Sequence, residues 1–243
     1  NNTKIDDSSN LLIVGVMIQT DSLYSAGFVY EDADCYKKPV SCGTTIIAAE
    51  YNGGVVIGAD SRTSSGALVV NRVADKLTPV TDHIFVCRSG SAADTQAITD
   101  VIRHHLELYE LQHGKKAGVN IAAQAFRSMS YDYRDQLTAG LLVAGWDEEN
   151  GGQVYSIPIG GMITRMQLAS GGSGSVYIYG FLDKMFRPGM SKDECEKFVK
   201  DAVSFAMYRD GSSGGIVRLG TITKDGIQRQ IFTPDALCTR ELS

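Results

Sequence analysis

The sequence predicts an α+β domain in which two stacked antiparallel sheets lie between outer layers of helix. Strand groups alternate with helix pairs along the chain, in the order strands, two helices, strands, two helices, strands. That order fits stacked antiparallel sheets better than a parallel doubly wound sheet. The first two strands flank Asn52-Gly53, a strong short-hairpin signal and so an antiparallel start. Of the 243 residues, 200 remain if residues 1–43 are set aside. Such a chain buries roughly 70% of its unfolded surface as one domain.

The elements follow from local pattern. Apolar runs at 45–51 and 54–60 read as strands, and further strands fall near 76–80 and 83–89. A helix opens after Gly90, where Ser91 or Asp94 can cap it. Ala97, Val101 and Leu108 with Ile98, Ile102 and Tyr109 give it an apolar side. In the next helix, Val119, Ala122, Phe126, Met129 and Tyr133 recur at helical spacing. Strands are predicted near 138–146, 152–158 and 162–169, with a Gly151-Gly152 turn between the first two. A helix over 174–186 ends before Pro188-Gly189. Another starts at Ser191, where Ser191-Lys192-Asp193-Glu194 has capping-box form, and runs to about 209. Strands at 215–223 and 227–232 close the domain.

Residues 1–43 have a different character: Asn, Asp, Ser and Tyr around one short apolar run, ending in Lys37-Lys38-Pro39. They read as a leader without a core of its own. The apolar run at 11–18 follows Asp6-Asp7 instead of a basic stretch and is too short for a membrane span, so it is not read as a secretory signal or an anchor. The formal net charge is -5, and no basic run appears, which argues against a nucleic-acid partner. The five cysteines are scattered and form no C-x-x-C, the usage of reduced thiols in an intracellular protein.

The junction Gly43-Thr44-Thr45 separates leader from domain. A threonine inside a chain has no base attached to it. A cut between Gly43 and Thr44 would give that residue a free α-amine within reach of its own hydroxyl, a known pairing for an activated nucleophile. Several clusters accompany it: Gly58-Ala59-Asp60-Ser61-Arg62, Asp75-Lys76, Ser89-Gly90-Ser91-Ala92-Ala93-Asp94, Gly172-Ser173-Gly174-Ser175 and Arg209-Asp210-Gly211-Ser212-Ser213-Gly214-Gly215. Taken singly, each has a plain structural reading as a turn, a cap or a solvated charge.

Together, in this order over residues 44–232, the sequence resembles the catalytic β subunits of the 20S proteasome, which are N-terminal-nucleophile (Ntn) hydrolases. The resemblance implies the four-layer αββα sandwich of that class, with residues 1–43 a propeptide removed on maturation and 44–243 the hydrolase domain. By resemblance, Thr44 Oγ is the nucleophile, and the Gly90 N–H faces the oxyanion. Ser173, Asp210 and Ser213 surround the Thr44 amine. Lys76 supplies a positive charge oriented by Asp60. An α-amine has a reference pKa of about 7.7–8.0 against about 10.4 for lysine, so the amine is the better proton acceptor near neutrality. Whether Lys76 also accepts a proton stays open at this point. Thr44 attacking the Gly43 carbonyl would make the chain its own processing enzyme, and Gly43 has no side chain to obstruct that attack.

Arg88, in the otherwise apolar strand Ile84-Phe85-Val86-Cys87, has a plain reading as the partner of a structural carboxylate. The resemblance places it at the primary specificity pocket, where arginine marks the caspase-like, post-acidic type. Thr63 and Ala92 match neighbouring pocket positions. The resemblance also implies partners: other α and β subunits in a barrel of stacked heptameric rings and unfolded polypeptide substrates, with assembly chaperones as further candidates; whether the leader binds one stays open at this point. It implies work in cytoplasm and nucleus, with no metal or cofactor.

Other readings are an α/β-hydrolase elbow, metal catalysis, a scaffold-only ring subunit, and a stand-alone or bacterial-type Ntn peptidase, against which the caspase-like pocket argues. Gly211-Ser212-Ser213-Gly214-Gly215 satisfies G-x-S-x-G, but the nucleophile elbow needs strand, then helix, then a later histidine. Here helix precedes strand, and the last histidine is His113. The four histidines form no H-E-x-x-H. A non-catalytic ring subunit is the serious alternative, and it would be free to lose Thr44 or Lys76; this chain keeps both.

Overall fold

The computed structural model describes residues 43–65 and 68–237. The predicted leader lies outside these residues except for Gly43, as do Cys35, Cys42 and Cys238.

The chain begins with the hairpin β1 (Ile46–Tyr51) and β2 (Gly54–Ala59), then the short pair β3 (Thr63–Ser65) and β4 (Leu68–Asn71). Next come β5 (Leu77–Pro79) and β6 (Ile84–Gly90), helices α1 (Ala92–His113) and α2 (Val119–Asp132), and strands β7 (Ala139–Asp147) and β8 (Gly151–Ile157). Two short strands follow, β9 (Thr164–Arg165) and β10 (Leu168–Gly171), then α3 (Tyr179–Met185) and α4 (Lys192–Arg209). The last strands are β11 (Val217–Thr223) and β12 (Gly226–Phe232). One sheet has the order β10-β1-β2-β11-β12 and the other β5-β6-β7-β8-β9, and every pairing in both is antiparallel.

Three apolar clusters of the described residues define four layers. Ile46 and Ala48 of β1 pack with Ile57, Phe85, Cys87, Leu142, Ala144 and Val154 between the sheets. Ile47 and Ala49, one residue out of phase, pack with Val199, Ala202 and Val203 of α4. On the other side, Ile84, Val86, Leu141 and Val143 meet Ile98, Ile102 and Leu106 of α1 and Phe126 of α2. Strands buried on both faces cannot alternate apolar with polar, which is why β1 and β2 read as continuous apolar runs.

The hairpin turn falls at Asn52-Gly53, with Gly53 at a φ of +122° that side-chain-bearing residues rarely adopt. Ser91 caps α1, accepting from the Asp94 N–H, and the Ser191–Glu194 capping box of α4 is complete.

Four expectations are corrected. The strand predicted over 162–169 is two short strands in different sheets, β9 beside β8 and β10 beside β1. The helix predicted over 174–186 is a 3-10 turn at Ser173–Tyr177 followed by α3. The apolar side of α1 is narrower than predicted: Ile98, Ile102 and Leu106 are buried, while Ala97, Val101 and Leu108 are exposed. The turn near 150 is made by Glu148, Glu149 and Asn150, and Gly151-Gly152 opens β8 instead. Gly152 is needed for another reason, since a Cβ there would meet the Gly54 backbone of the facing sheet.

Candidate active site

Six chain segments converge at one edge of the sandwich. The β1–β2 register pairs Ile46 with Ala59, and the Asp60 N–H donates to the Thr45 carbonyl at 3.1 Å. Thr44, just before β1, therefore lies beside Asp60, just after β2. Lys76 precedes β5, Gly90 ends β6, Ser173 follows β10, and Asp210 caps the C-terminus of α4.

Lys76 is the hub. Its Nζ donates to Asp60 Oδ1 at 2.7 Å, to the Gly43 carbonyl at 2.9 Å and to Thr44 Oγ1 at 3.0 Å. The Thr44 hydroxyl itself donates to the Gly43 carbonyl at 2.7 Å. Asp60 is fully buried. Besides the ammonium, it accepts from the backbone N–H groups of Thr45, Arg62 and Gly214 at 2.9–3.1 Å. A buried carboxylate is tolerable only when paired and hydrogen-bonded in this way.

The Thr44 nitrogen donates to Ser173 Oγ at 3.2 Å, and Ser173 Oγ donates to Asp210 Oδ2 at 2.7 Å. Ser213 Oγ also donates to Asp210 Oδ2, at 2.6 Å, and lies 2.8 Å from Thr45 Oγ1. Asp210 thus stands behind Ser173, which alone of the three bonds the Thr44 nitrogen, and Ser213 stands one hydrogen bond further back, on Asp210. Burial pushes the Asp210 carboxyl upward. The hydroxyls of Ser213 and Ser173, the Ser212 amide and the Lys76 charge outweigh that effect and hold it below the usual carboxylate range. A depressed folded pKa contributes stability that is present above the unfolded value of about 3.9 and lost as pH falls through the folded one. Asp210→Asn is accordingly expected to flatten the acid limb of a stability-against-pH curve, measured by thermal unfolding between pH 6 and 3.

Gly90 is the last residue of β6, one position ahead of the α1 N-cap, so its N–H belongs to a strand end and not to the free first turn of the helix. Its φ of +97° and the nearby Thr138 carbonyl leave no place for a side chain. A small pocket of about 60 Å³ is lined by Thr44, Thr63, Lys76, Arg88, Gly90 and Ala92 together with Asp75. The three predicted substrate-contact residues therefore share one pocket with Thr44. Arg88 is half-buried; its Nη2 donates to the Asp75 carbonyl at 3.0 Å, and its buried Nε has no hydrogen-bond partner among the described residues. Burial lowers its pKa, although a guanidinium remains charged throughout the physiological range.

Sequence reasoning missed three contributors. Thr45 links Asp60 to Ser213. Ser64 Oγ accepts from the Gly43 N–H at 3.4 Å. Ser212 packs so closely on Gly43 that a Cβ there would overlap its side chain and carbonyl. Threonine and serine are common turn residues, and nothing in the sequence separates these from the rest. The buried thiols are poor rival nucleophiles: burial raises Cys87 and pushes Cys195 up to about 12.

The arrangement can hold a threonine hydroxyl against a peptide carbonyl under a lysine charge, and it does so on the αββα sandwich of the Ntn hydrolases. Among known proteins, the family description "Proteasome subunit" matches residues 40–222. Proteasome subunit beta type-1 of Saccharomyces cerevisiae is 51% identical over 199 residues, covering 82% of this chain and 92% of that protein. Proteasome subunit beta type-9 of Rattus norvegicus is 52% identical over 198 residues, covering 82% and 90%. Proteasome subunit beta type-6 of Dictyostelium discoideum is 50% identical over 193 residues, covering 79% and 90%. The chain belongs to the proteasome subunit family, among its β-type members. The relatives carry three β-type numbers, so family membership by itself does not fix the type. Among the described residues no helix is long and apolar enough to cross a membrane.

Proposed function

We propose that this β-type subunit is a threonine endopeptidase of the 20S core, made as a precursor that cleaves its own Gly43–Thr44 bond and preferring substrates with an acidic residue before the scissile bond. The observation that carries the reading is the convergence of Lys76 Nζ on both Thr44 Oγ1 and the Gly43 carbonyl above a buried Asp60.

In processing, Thr44 Oγ forms a bond to the Gly43 carbonyl carbon, and the Gly43–Thr44 C–N bond breaks. The hydroxyl proton passes to the leaving nitrogen, and water hydrolyses the ester. This leaves a Gly43 carboxylate and a free Thr44 amine beside Ser173. In turnover, that amine takes the Oγ proton as Oγ attacks a substrate carbonyl, and the Gly90 N–H faces the oxyanion. One such donor contributes about 2.7–4 kcal/mol. Collapse returns the proton to the departing amine, and water then releases the acyl group. Lys76 keeps the hydroxyl polarised, Asp60 holds Lys76, Asp210 fixes Ser173, and Ser213 holds Asp210.

The subunit assembles with other α and β subunits in the stacked rings of the barrel. Its place of work is the cytoplasm and nucleus, its substrates are unfolded polypeptides, and residues 1–43 are the propeptide. A threonine-directed electrophile such as a peptide epoxyketone tests the reading: covalent mass on Thr44 supports it, and an unlabelled chain in an active particle points to the scaffold-only subunit.

Two variants test the finer points. Gly43→Val is expected to slow release of the leader about 10²-fold, because the new side chain must displace Ser212 and move the carbonyl; intact-mass analysis during assembly reads this directly. Arg88→Leu removes the pocket's guanidinium and leaves Lys76 engaged with Asp60. A charge-assisted hydrogen bond is worth about 1.5–3 kcal/mol, so the preference for Glu over Leu before the scissile bond is expected to fall roughly ten- to hundred-fold. An unchanged preference on paired fluorogenic peptides removes Arg88 from substrate selection.

A further inference from the structure

Two carboxylates lie near the Arg88 guanidinium, that of Asp75, which lines the same pocket, and that of Asp100. Each is already engaged by another arginine. Arg229 of β12 places one Nη2 against both Asp75 oxygens, at 2.8 and 2.6 Å, and Arg103 Nη1 donates to Asp100 Oδ1 at 3.2 Å. The Asp75 backbone carbonyl meanwhile accepts from Arg88, and the side-chain Oδ1 also accepts from the Leu77 N–H at 3.1 Å. Arg218 of β11 holds the preceding carbonyls, donating to Val73 at 2.9 Å and Ala74 at 3.4 Å. The wall of the pocket leading into Lys76 is therefore strapped from behind by two arginines that do not line it. Both partners of the Arg229–Asp75 pair are more than a third exposed, at 37% and 40%. Such a pair adds little to folding stability. Its consequence is local and electrostatic.

Resting on the reading that Arg88 receives an acidic substrate side chain, we propose that Arg229 is a positioning residue for that selection, occupying Asp75 so that this built-in carboxylate does not take the substrate's place on Arg88. A tethered carboxylate competes at a high effective concentration. Its removal from the competition therefore matters more than a surface ion pair suggests.

The test uses assembled particles carrying Arg229→Gln, Asp75→Asn, the double variant or Arg88→Leu. KM and kcat are measured on peptides with Glu or Leu before the scissile bond. Arg229→Gln is expected to lower the Glu/Leu ratio of kcat/KM about fivefold, through KM for the Glu peptide. Asp75→Asn keeps the Oδ1 acceptor and loses the charge, so it raises the ratio about two- to threefold. The double variant returns within about twofold of the parent. An unchanged ratio in Arg229→Gln overturns the proposal, as does a double variant no better than that single one. Should Arg229→Gln fail to assemble, Arg229→Met, which keeps the apolar stem and loses the charge, takes its place, and an unchanged ratio there is equally fatal. A ratio indifferent to Arg88→Leu overturns the underlying pocket reading. A ratio that collapses in Arg88→Leu but ignores Arg229 overturns only the positioning role.

Discussion

Thr44→Ala is expected to abolish hydrolysis by this subunit and to leave residues 1–43 attached to it. Under the proposed mechanism both losses have one cause, because the same Oγ would attack its own Gly43 carbonyl first and substrate carbonyls afterwards. Removal of a nucleophile that acts with a base as a unit costs about 10⁶-fold in turnover. Folding is expected to survive. The hydroxyl's partners are the Gly43 carbonyl and Lys76, and Lys76 keeps both Asp60 and that carbonyl without it. Peptide hydrolysis and the intact mass of the subunit in assembled particles check the two halves separately. Clean cleavage at 43–44 in this variant, with no active neighbour in the particle, would show that the leader is removed by something other than Thr44.

Lys76→Ala has the second largest expected effect, and it differs in kind. Asp60 is fully buried and the Lys76 side chain is 8% exposed, so loss of the ammonium leaves a carboxylate in the interior without its cation. Breaking a buried pair from one side destabilises by about 3–5 kcal/mol. Activity falls as well, because the charge over Thr44 Oγ1 goes with it; one preorganised electrostatic contact is worth about 10²–10³-fold. Thermal unfolding and hydrolysis are thus expected to fall together here, whereas Thr44→Ala loses hydrolysis alone. Lys76→Ala together with Asp60→Ala should recover part of the stability, since no unpaired charge is left, and none of the activity.

Much of the candidate site was legible as a cluster because its residues sit at element ends that the pattern already marks. Thr44 precedes an apolar strand, Asp60 ends the next, Gly90 stands before a capped helix, and Asp210 leaves a long one. The hairpin at Asn52-Gly53 then brings Thr44 to Asp60 by register alone. Lys76 was legible only in company: an isolated lysine before a three-residue strand carries no signal of a buried ion pair. Arg229 was not legible at all, because its partner lies 154 residues earlier and an arginine on a half-exposed closing strand reads as a solvated charge.

The fold was misread where periodicity cannot name a partner. Residues 162–169 have extended character, but the pattern does not say that β9 joins one sheet and β10 the other. In α1, the stripes through Val101 and Ile102 differ by one residue, about 100° around the helix, and only the sheet beneath decides which is buried. Gly151-Gly152 has turn composition, yet Gly152 answers to the approach of the facing strand.

The most direct measurement is the N-terminal sequence and mass of this subunit isolated from active, assembled particles. The expected result is a chain beginning at Thr44 with an unmodified amine, which an epoxyketone then captures through nitrogen and oxygen together. A subunit that still carries Gly43 on that nitrogen while its acidic-site hydrolysis proceeds would contradict the mechanism.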